Sequence, residues 1–139
     1  MESLRTVERG VAVQLVVSRD YSLPMCMRLQ YEPTDPYVVR AAFFVHSDEP
    51  VEWVLGRDLL AEGLKGSAGY ADVRIWPAVG RGDQVMYMAL GSCTGTALLD
   101  VPVQDVRTFL ENTEALVPRG TESNHIDWDV ELAYLLSDS

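Results

Sequence analysis

The sequence predicts an α+β fold, a single domain (1–139) of two antiparallel meanders with helices, in the order ββββ-α-βββ-α-α. Three observations predict it. Apolar residues recur with a period of two in a series of short runs, Gly- and Pro-containing clusters separate those runs, and the spacing turns helical after Arg57 and again after Pro102. With 139 residues, 47% of them apolar and 23% charged, the chain can bury a core and is not a disordered polymer.

Val11, Val13, Leu15 and Val17 give a first strand with at least one buried face. In the second, Met25, Met27, Leu29 and Tyr31 alternate with Cys26, Arg28, Gln30 and Glu32, and Tyr21 to Pro24 suits the turn before it. Pro33, Asp35 and Pro36 break the chain ahead of a third strand, Val38 to His46, which is rich in β-branched and aromatic residues. After a turn at Ser47 to Pro50, Val51, Trp53 and Leu55 share one face of a fourth strand ended by Gly56. Asp58 to Lys65 reads as a short helix stopped by Gly66, although Gly63 weakens it. Gly66 to Tyr70 reads as a loop, and Ala71 to Trp76, Gln84 to Leu90 and Thr96 to Val101 as three further strands, parted by turns at Gly80 to Asp83 and Gly91 to Gly95. Pro102 opens a helix striped by Val106, Phe109, Leu110, Thr113 and Leu116 or Val117, which Pro118 and Gly120 terminate. A last helix, Asp127 to Leu136, sets Trp128, Leu132, Leu135 and Leu136 on one side and turns Asp129 and Glu131 away. Several strands are apolar on both faces, which implies a homo-oligomer closing the surplus surface.

The formal charge of −10 is uneven: residues 1–99 carry 12 acids against 9 bases, residues 100–139 carry 9 against 2. Such a chain repels a phosphate backbone at long range, so nucleic-acid binding is disfavoured. No apolar run approaches the roughly 20 residues of a membrane span and no leader pattern opens the chain, so a cytoplasmic protein without a membrane span is expected, with Cys26 and Cys93 reduced.

The search for chemistry leaves no site. Gly91-Ser92-Cys93-Thr94-Gly95 has the form of a nucleophile elbow, but it is flanked by strands on both sides and reads better as a hairpin turn. Its only bases would be His46 and His125, two isolated histidines that also make no metal site. Asp127, Asp129 and Glu131 lack the glycine and terminal glutamate of a calcium loop, and Arg81-Gly82-Asp83 reads as a turn. No phosphate-cradling glycine motif occurs. No residue is therefore assigned a catalytic, cofactor-binding or metal role; no cofactor is expected, and the protein is expected not to be an enzyme. Trp53, Trp76 and Trp128 with Arg28, Arg40 and Arg74 could serve a single-stranded nucleic acid, but they read better as core and as the wet side of a sheet.

Four blocks in the same order resemble the SsgA-like sporulation and cell-division family: Asp35-Pro36-Tyr37-Val38-Val39; Val51 to Leu64 with its V-x-W strand running into R-D-L-L-x-x-G; Asp72 to Pro77; and Phe109-Leu110 followed by Val117 to Glu122. The chain departs from that pattern at Gly56, where alanine is common, and at Ala71, where glycine is usual. The resemblance implies a fold like the whirly single-stranded nucleic-acid-binding proteins and assembly as a trimer. It further implies a non-enzymatic factor of sporulating actinomycetes that is drawn to the division septum and helps place it by recruiting the tubulin-like protein FtsZ, with other SsgA-like or septal proteins as further partners. A single-stranded nucleic-acid-binding protein is the alternative. FtsZ is generally acidic too, so a direct contact needs a local apolar or arginine-bearing patch. Asp58, at the exposed start of a helix, is the candidate contact; the same position also suits a charge that stabilises the helix N-terminus.

Overall fold

A computed structural model describes residues 6–44, 49–78, 84–93 and 95–137, apart from the side chains of residues 134 and 137. Eight antiparallel strands form one sheet: β1 (Val7–Ser18), β2 (Tyr21–Tyr31), β3 (Val38–Phe44), β4 (Val51–Gly56), β5 (Ala68–Tyr70), β6 (Val73–Pro77), β7 (Val85–Ser92) and β8 (Gly95–Pro102). Helices α1 (Arg57–Lys65) and α2 (Val103–Leu116) each follow a four-strand meander, and a 3₁₀ turn (Glu122–His125) leads to α3 (Trp128–Ser137). The spatial order β4-β3-β2-β1-β8-β7-β6-β5 joins the predicted meanders through β1 and β8, where Gln14 faces Asp100 and Leu15 faces Leu99. The α+β class and the predicted order hold, with one extra strand, β5. At three residues it is too short to show a period and is held by pairing Ala68, Gly69 and Tyr70 with Ile75, Arg74 and Val73.

Period two sets the two faces of the sheet. Val11, Val13, Met27, Leu29, Ala41, Ile75, Met88 and Val101 are buried on the side that carries the helices, whereas Ala12, Gln14, Cys26, Arg28, Arg40 and Arg74 are exposed on the other. The stripe Val103, Val106, Phe109, Leu110 and Thr113 seats α2 in this core, and Leu60, Ala61 and Gly63 seat α1. The sheet curls, because residues of β1, β2, β3 and β4 line one cavity together with residues of β7 and β8. That curl is what allows nine-residue α1 to carry the chain from edge strand β4 to the opposite edge, β5.

Some boundaries differ from the expectation. The first turn is Arg19-Asp20, not Tyr21 to Pro24. Pro24 lies inside β2, opposite Gln14 of β1, and among the described residues β3 pairs with Cys26 to Gln30. The Gly91 to Gly95 segment is a hairpin turn in which Ser92 pairs with Gly95. His46, the first half of the Ser47 to Pro50 turn, the Gly80 to Asp83 turn with Arg81-Gly82-Asp83, and Thr94 lie outside the described residues.

Two backbone positions carry testable strain. Gly63 lets α1 approach β6 closely: a Cβ there would lie 2.5 Å from Ile75 Cγ2 and 2.8 Å from Ile75 Cβ. Gly63→Ala, which favours an exposed helix by about 1 kcal/mol, is here expected to lower the urea-unfolding free energy by about 1–3 kcal/mol through overpacking. Ala71, one of the two departures from the family pattern, turns between β5 and β6 at φ 54°, in the left-handed region that favours glycine. Ala71→Gly is expected to raise the unfolding free energy by up to about 1 kcal/mol, the relief of strain less the entropy glycine adds to the unfolded chain. The other departure, Gly56, is extended at φ −70° and would accept an alanine, whose Cβ would meet Leu59 Cβ at an ordinary 3.5 Å.

Candidate protein-interaction surface

The start of α1 is built over a buried arginine. Arg57 is 1% exposed, and its Nη1 donates to the carbonyls of Val117 at 2.8 Å and Thr113 at 3.3 Å, in the last turn of α2. No basic residue of α2 lies in that turn, so α1 supplies the cation that the helix C-terminus favours. Nη2 donates to Glu122 Oε2 at 2.8 Å, and Glu122 Oε1 accepts from the Gly120 N–H at 2.8 Å. The guanidinium carbon lies 5.1 Å from the centre of the Tyr31 ring, a cation–π distance, and the Tyr31 hydroxyl donates to the Pro36 carbonyl at 2.9 Å.

This latch shifts two titrating groups. The hydrogen bond from Arg57 holds the Glu122 carboxyl below its usual range, helped by backbone N–H donors and opposed by burial. Burial pushes the Tyr31 hydroxyl up to about 12, against the opposing pull of Arg57, with Glu122 and Asp35 adding to the rise.

Asp58 is the next residue, exposed in the first turn of α1, and its Oδ1 accepts from Arg119 Nη2 at 3.0 Å. It therefore does what an N-terminal helix charge does and also stands on the surface. Arg119 borders a cleft of about 310 Å³ between α1 and α2, lined by Ala61, Leu64 and Leu110 with Lys65, Arg107, Glu111 and Glu114. Reasoning from sequence named Asp58 but missed Arg57, Glu122 and the cleft; the signal for the first two was a lone Arg and a lone Glu inside otherwise structural blocks.

The other candidates are not brought together. Cys93 is exposed in the β7–β8 turn, with strand on both sides as expected of a hairpin, and His125 is exposed in the 3₁₀ turn after α2. Asp127 caps α3, its Oδ1 accepting from the Val130 N–H at 3.2 Å, and no cluster of metal-ligating side chains occurs among the described residues. Arg28 lies over the Phe44 ring at 5.1 Å and Arg40 pairs with Asp35 at 3.5 Å on β2 and β3. Arg74 sits on β6, and Gln14 of β1 and Asp100 of β8 lie between on the same face, so the three arginines form no continuous basic track. Trp53 and Trp76 are only partly buried, Trp76 against Tyr87 at 5.8 Å between ring centres, and Trp128 is exposed rather than core.

Residues 25–122 match the family model described as Streptomyces sporulation and cell division protein, SsgA. The chain belongs to the SsgA family. It is 46% identical over 134 residues, 96% of this chain and 98% of the relative, to the sporulation-specific cell division protein SsgB of Streptomyces coelicolor. The corresponding protein of Thermobifida fusca is 43% identical over 127 residues, 91% of this chain and 92% of that one. A solved structure from work on SsgB mutations that correlate with longitudinal cell division during sporulation of Streptomyces coelicolor superposes at TM-score 0.85, with 45% identity, 90% of this chain and 98% of that chain. The crystal structure of the SsgA-like sporulation-specific cell division protein of Thermobifida fusca superposes at 0.86, with 40% identity, 96% of this chain and 98% of that chain. Three of the four SsgA-family blocks recognised in the sequence thus meet physically: Pro36 through Tyr31, Arg57 itself, and Val117 to Glu122 converge on one guanidinium. Among the described residues no helix is long and apolar enough to cross a membrane.

Removing one partner of such a pair strands a buried charge. Glu122→Gln is expected to cost about 3–5 kcal/mol in chemical denaturation. Because the folded-state pKa of Glu122 is lowered, its stabilisation is fully present above the unfolded value of about 4.3 and is lost as pH falls through the depressed folded value. Between pH 7 and pH 3 the wild type is accordingly expected to lose more stability than Glu122→Gln, measured as the shift of each urea midpoint.

Proposed function

We propose that this protein is a non-enzymatic adaptor of cell division that acts in the cytoplasm as an oligomer, possesses a docking surface for FtsZ, and so helps place the septum in sporulating actinomycetes. Membership of a family of sporulation and cell-division proteins supports the setting. The observation that carries the contact is the Asp58–Arg119 pair, held at the exposed rim of the α1–α2 cleft by the Arg57 latch directly beneath it.

Charge favours a local contact of this kind. A chain of net charge −10 is not steered toward an acidic partner, but the cleft sets Lys65, Arg107 and Arg119, with Glu111 and Glu114 among them, over an apolar floor of Leu64 and Leu110. Local attraction and global repulsion respond to salt in opposite senses, so affinity for FtsZ is expected to change little, or to rise modestly, between low and moderate salt. A steep loss would instead point to dominant basic-to-acidic docking or to nucleic acid.

Asp58→Asn keeps much of the helix-capping capacity and removes the charge. It is expected to weaken co-sedimentation with FtsZ by about tenfold or more, equivalent to about 1.4 kcal/mol. The thermal midpoint should change little, because an exposed ion pair contributes about 0.2–1 kcal/mol. A folded Asp58→Asn protein that binds FtsZ unchanged removes Asp58 from the contact.

A further inference from the structure

Helices α1 and α2 cover only part of the concave face of the sheet. Val13, Met27, Met88 and Val101 belong to the buried core that the helices close. Further along the same strands, Leu15, Met25, Ala97 and Leu99 line an open cavity of about 410 Å³ whose walls come from strands and the β7–β8 turn, with no helix residue among them. Its floor is buried, with Phe43, Leu90 and Leu99 at most 4% exposed, whereas Val51 and Ala97 at its rim are exposed. Charged residues make up 23% of the chain, yet none lines this space. The hydroxyls in the lining, those of Ser92 and Thr96, both lie at the β7–β8 hairpin, where Ser92 Oγ donates to the Gly95 carbonyl at 3.2 Å.

We propose that this cavity is a binding site for a small uncharged amphiphile, a single-chain alcohol or its ester, with its hydrocarbon against Phe43, Trp53 and Leu99 and its oxygen toward the β7–β8 hairpin. Size, polarity and charge each select that class. Small-molecule sites are concave, mostly apolar spaces of roughly 300–1,000 Å³ with a few placed polar groups, and the mouth of a curled sheet is one of their usual places. An apolar cavity of about 150 Å³ takes benzene. This one is nearly three times that volume, which suits a ligand of about 16 non-hydrogen atoms. Water is a poor filling, because aliphatic walls give it too few hydrogen-bond partners. A sugar or nucleotide would leave most of its polar groups unpaired against the same walls. A carboxylate or an ammonium head would lose hydration and meet no opposite charge in the lining. A hydrocarbon chain ending in one hydroxyl or ester oxygen escapes all three costs.

The cavity shares no lining residue with the α1–α2 cleft, so the proposal goes beyond the FtsZ contact and does not depend on it. The test is titration of the full chain with a dodecanol carrying bromine at its far end, read as quenching of tryptophan fluorescence by the heavy atom. Of the three tryptophans only Trp53 lines the cavity. Saturable quenching is expected in the wild type, and its saturable part should vanish in Trp53→Phe, which keeps an apolar wall and removes the reporter. Dodecanoate and dodecyltrimethylammonium labelled in the same way are expected to bind at least tenfold more weakly than the alcohol. Ala97→Arg and Val51→Lys each set a charge at the exposed rim and are expected to weaken binding of the alcohol at least tenfold, with circular dichroism checking that each keeps the fold. Absence of saturable quenching in the wild type overturns the proposal and leaves the groove to a macromolecular partner. Quenching that survives Trp53→Phe overturns it by placing the probe elsewhere, and equal binding of the neutral and charged probes overturns it as general adsorption. A folded Ala97→Arg or Val51→Lys protein that binds the alcohol like the wild type also overturns it.

Discussion

The guanidinium of Arg57 is the constraint on which the rest of the structure depends. A buried cation is costly unless its donors are matched, and here one side chain meets two carbonyls of the α2 terminus, a carboxylate and an aromatic face, leaving only its Nε buried without a hydrogen-bond acceptor among the described residues. Each partner comes from a different part of the chain, so satisfying the charge fixes where α1 starts, where α2 stops and where the segment after it runs. Hydrophobic burial alone would tolerate some sliding of α1 and α2 over the sheet. The directional bonds of Arg57 do not.

Electrostatics and packing separate across the molecule. Arg9 on β1 pairs at 2.7 Å with Asp105, the acid in the first turn of α2 that complements the positive end of the helix, while Arg57 meets its negative end. The excess of acid after residue 100 is left largely on the surface. It places repulsion around the exposed apolar side chains of α3.

The sheet was legible because period two is a strong signal: the alternation of β2 appears on the expected faces, that of β1 and β4 does so except at the exposed ends Val17 and Val51, and the α2 stripe appears at the expected positions. What escaped had weaker local signals. β5 is held by its neighbour rather than by its own three residues, and Pro24 looks like a turn although it pairs with Gln14 inside β2. Arg57 reads as a surface residue because nothing within its own helix announces a carboxylate 65 positions away. The stripe Trp128, Leu132, Leu135 and Leu136 of α3 reads as a face for packing, yet all four are exposed, because periodicity shows which side of a helix is apolar and not whether that side is covered. For the candidate site, the sequence pointed to Asp58 but not to the cleft beside it, which exists only once α1 and α2 are packed together.

The shortness of the sheet margins has a consequence for growth. β4 has six residues, including exposed Glu52, and β5 has only three, so neither presents a long unpaired backbone ladder on which another sheet could nucleate. Polymerisation by strand addition is thereby discouraged at both margins while side-chain docking is left open. A protein built this way can be concentrated at one place in a cell without its sheets joining edge to edge into fibrils.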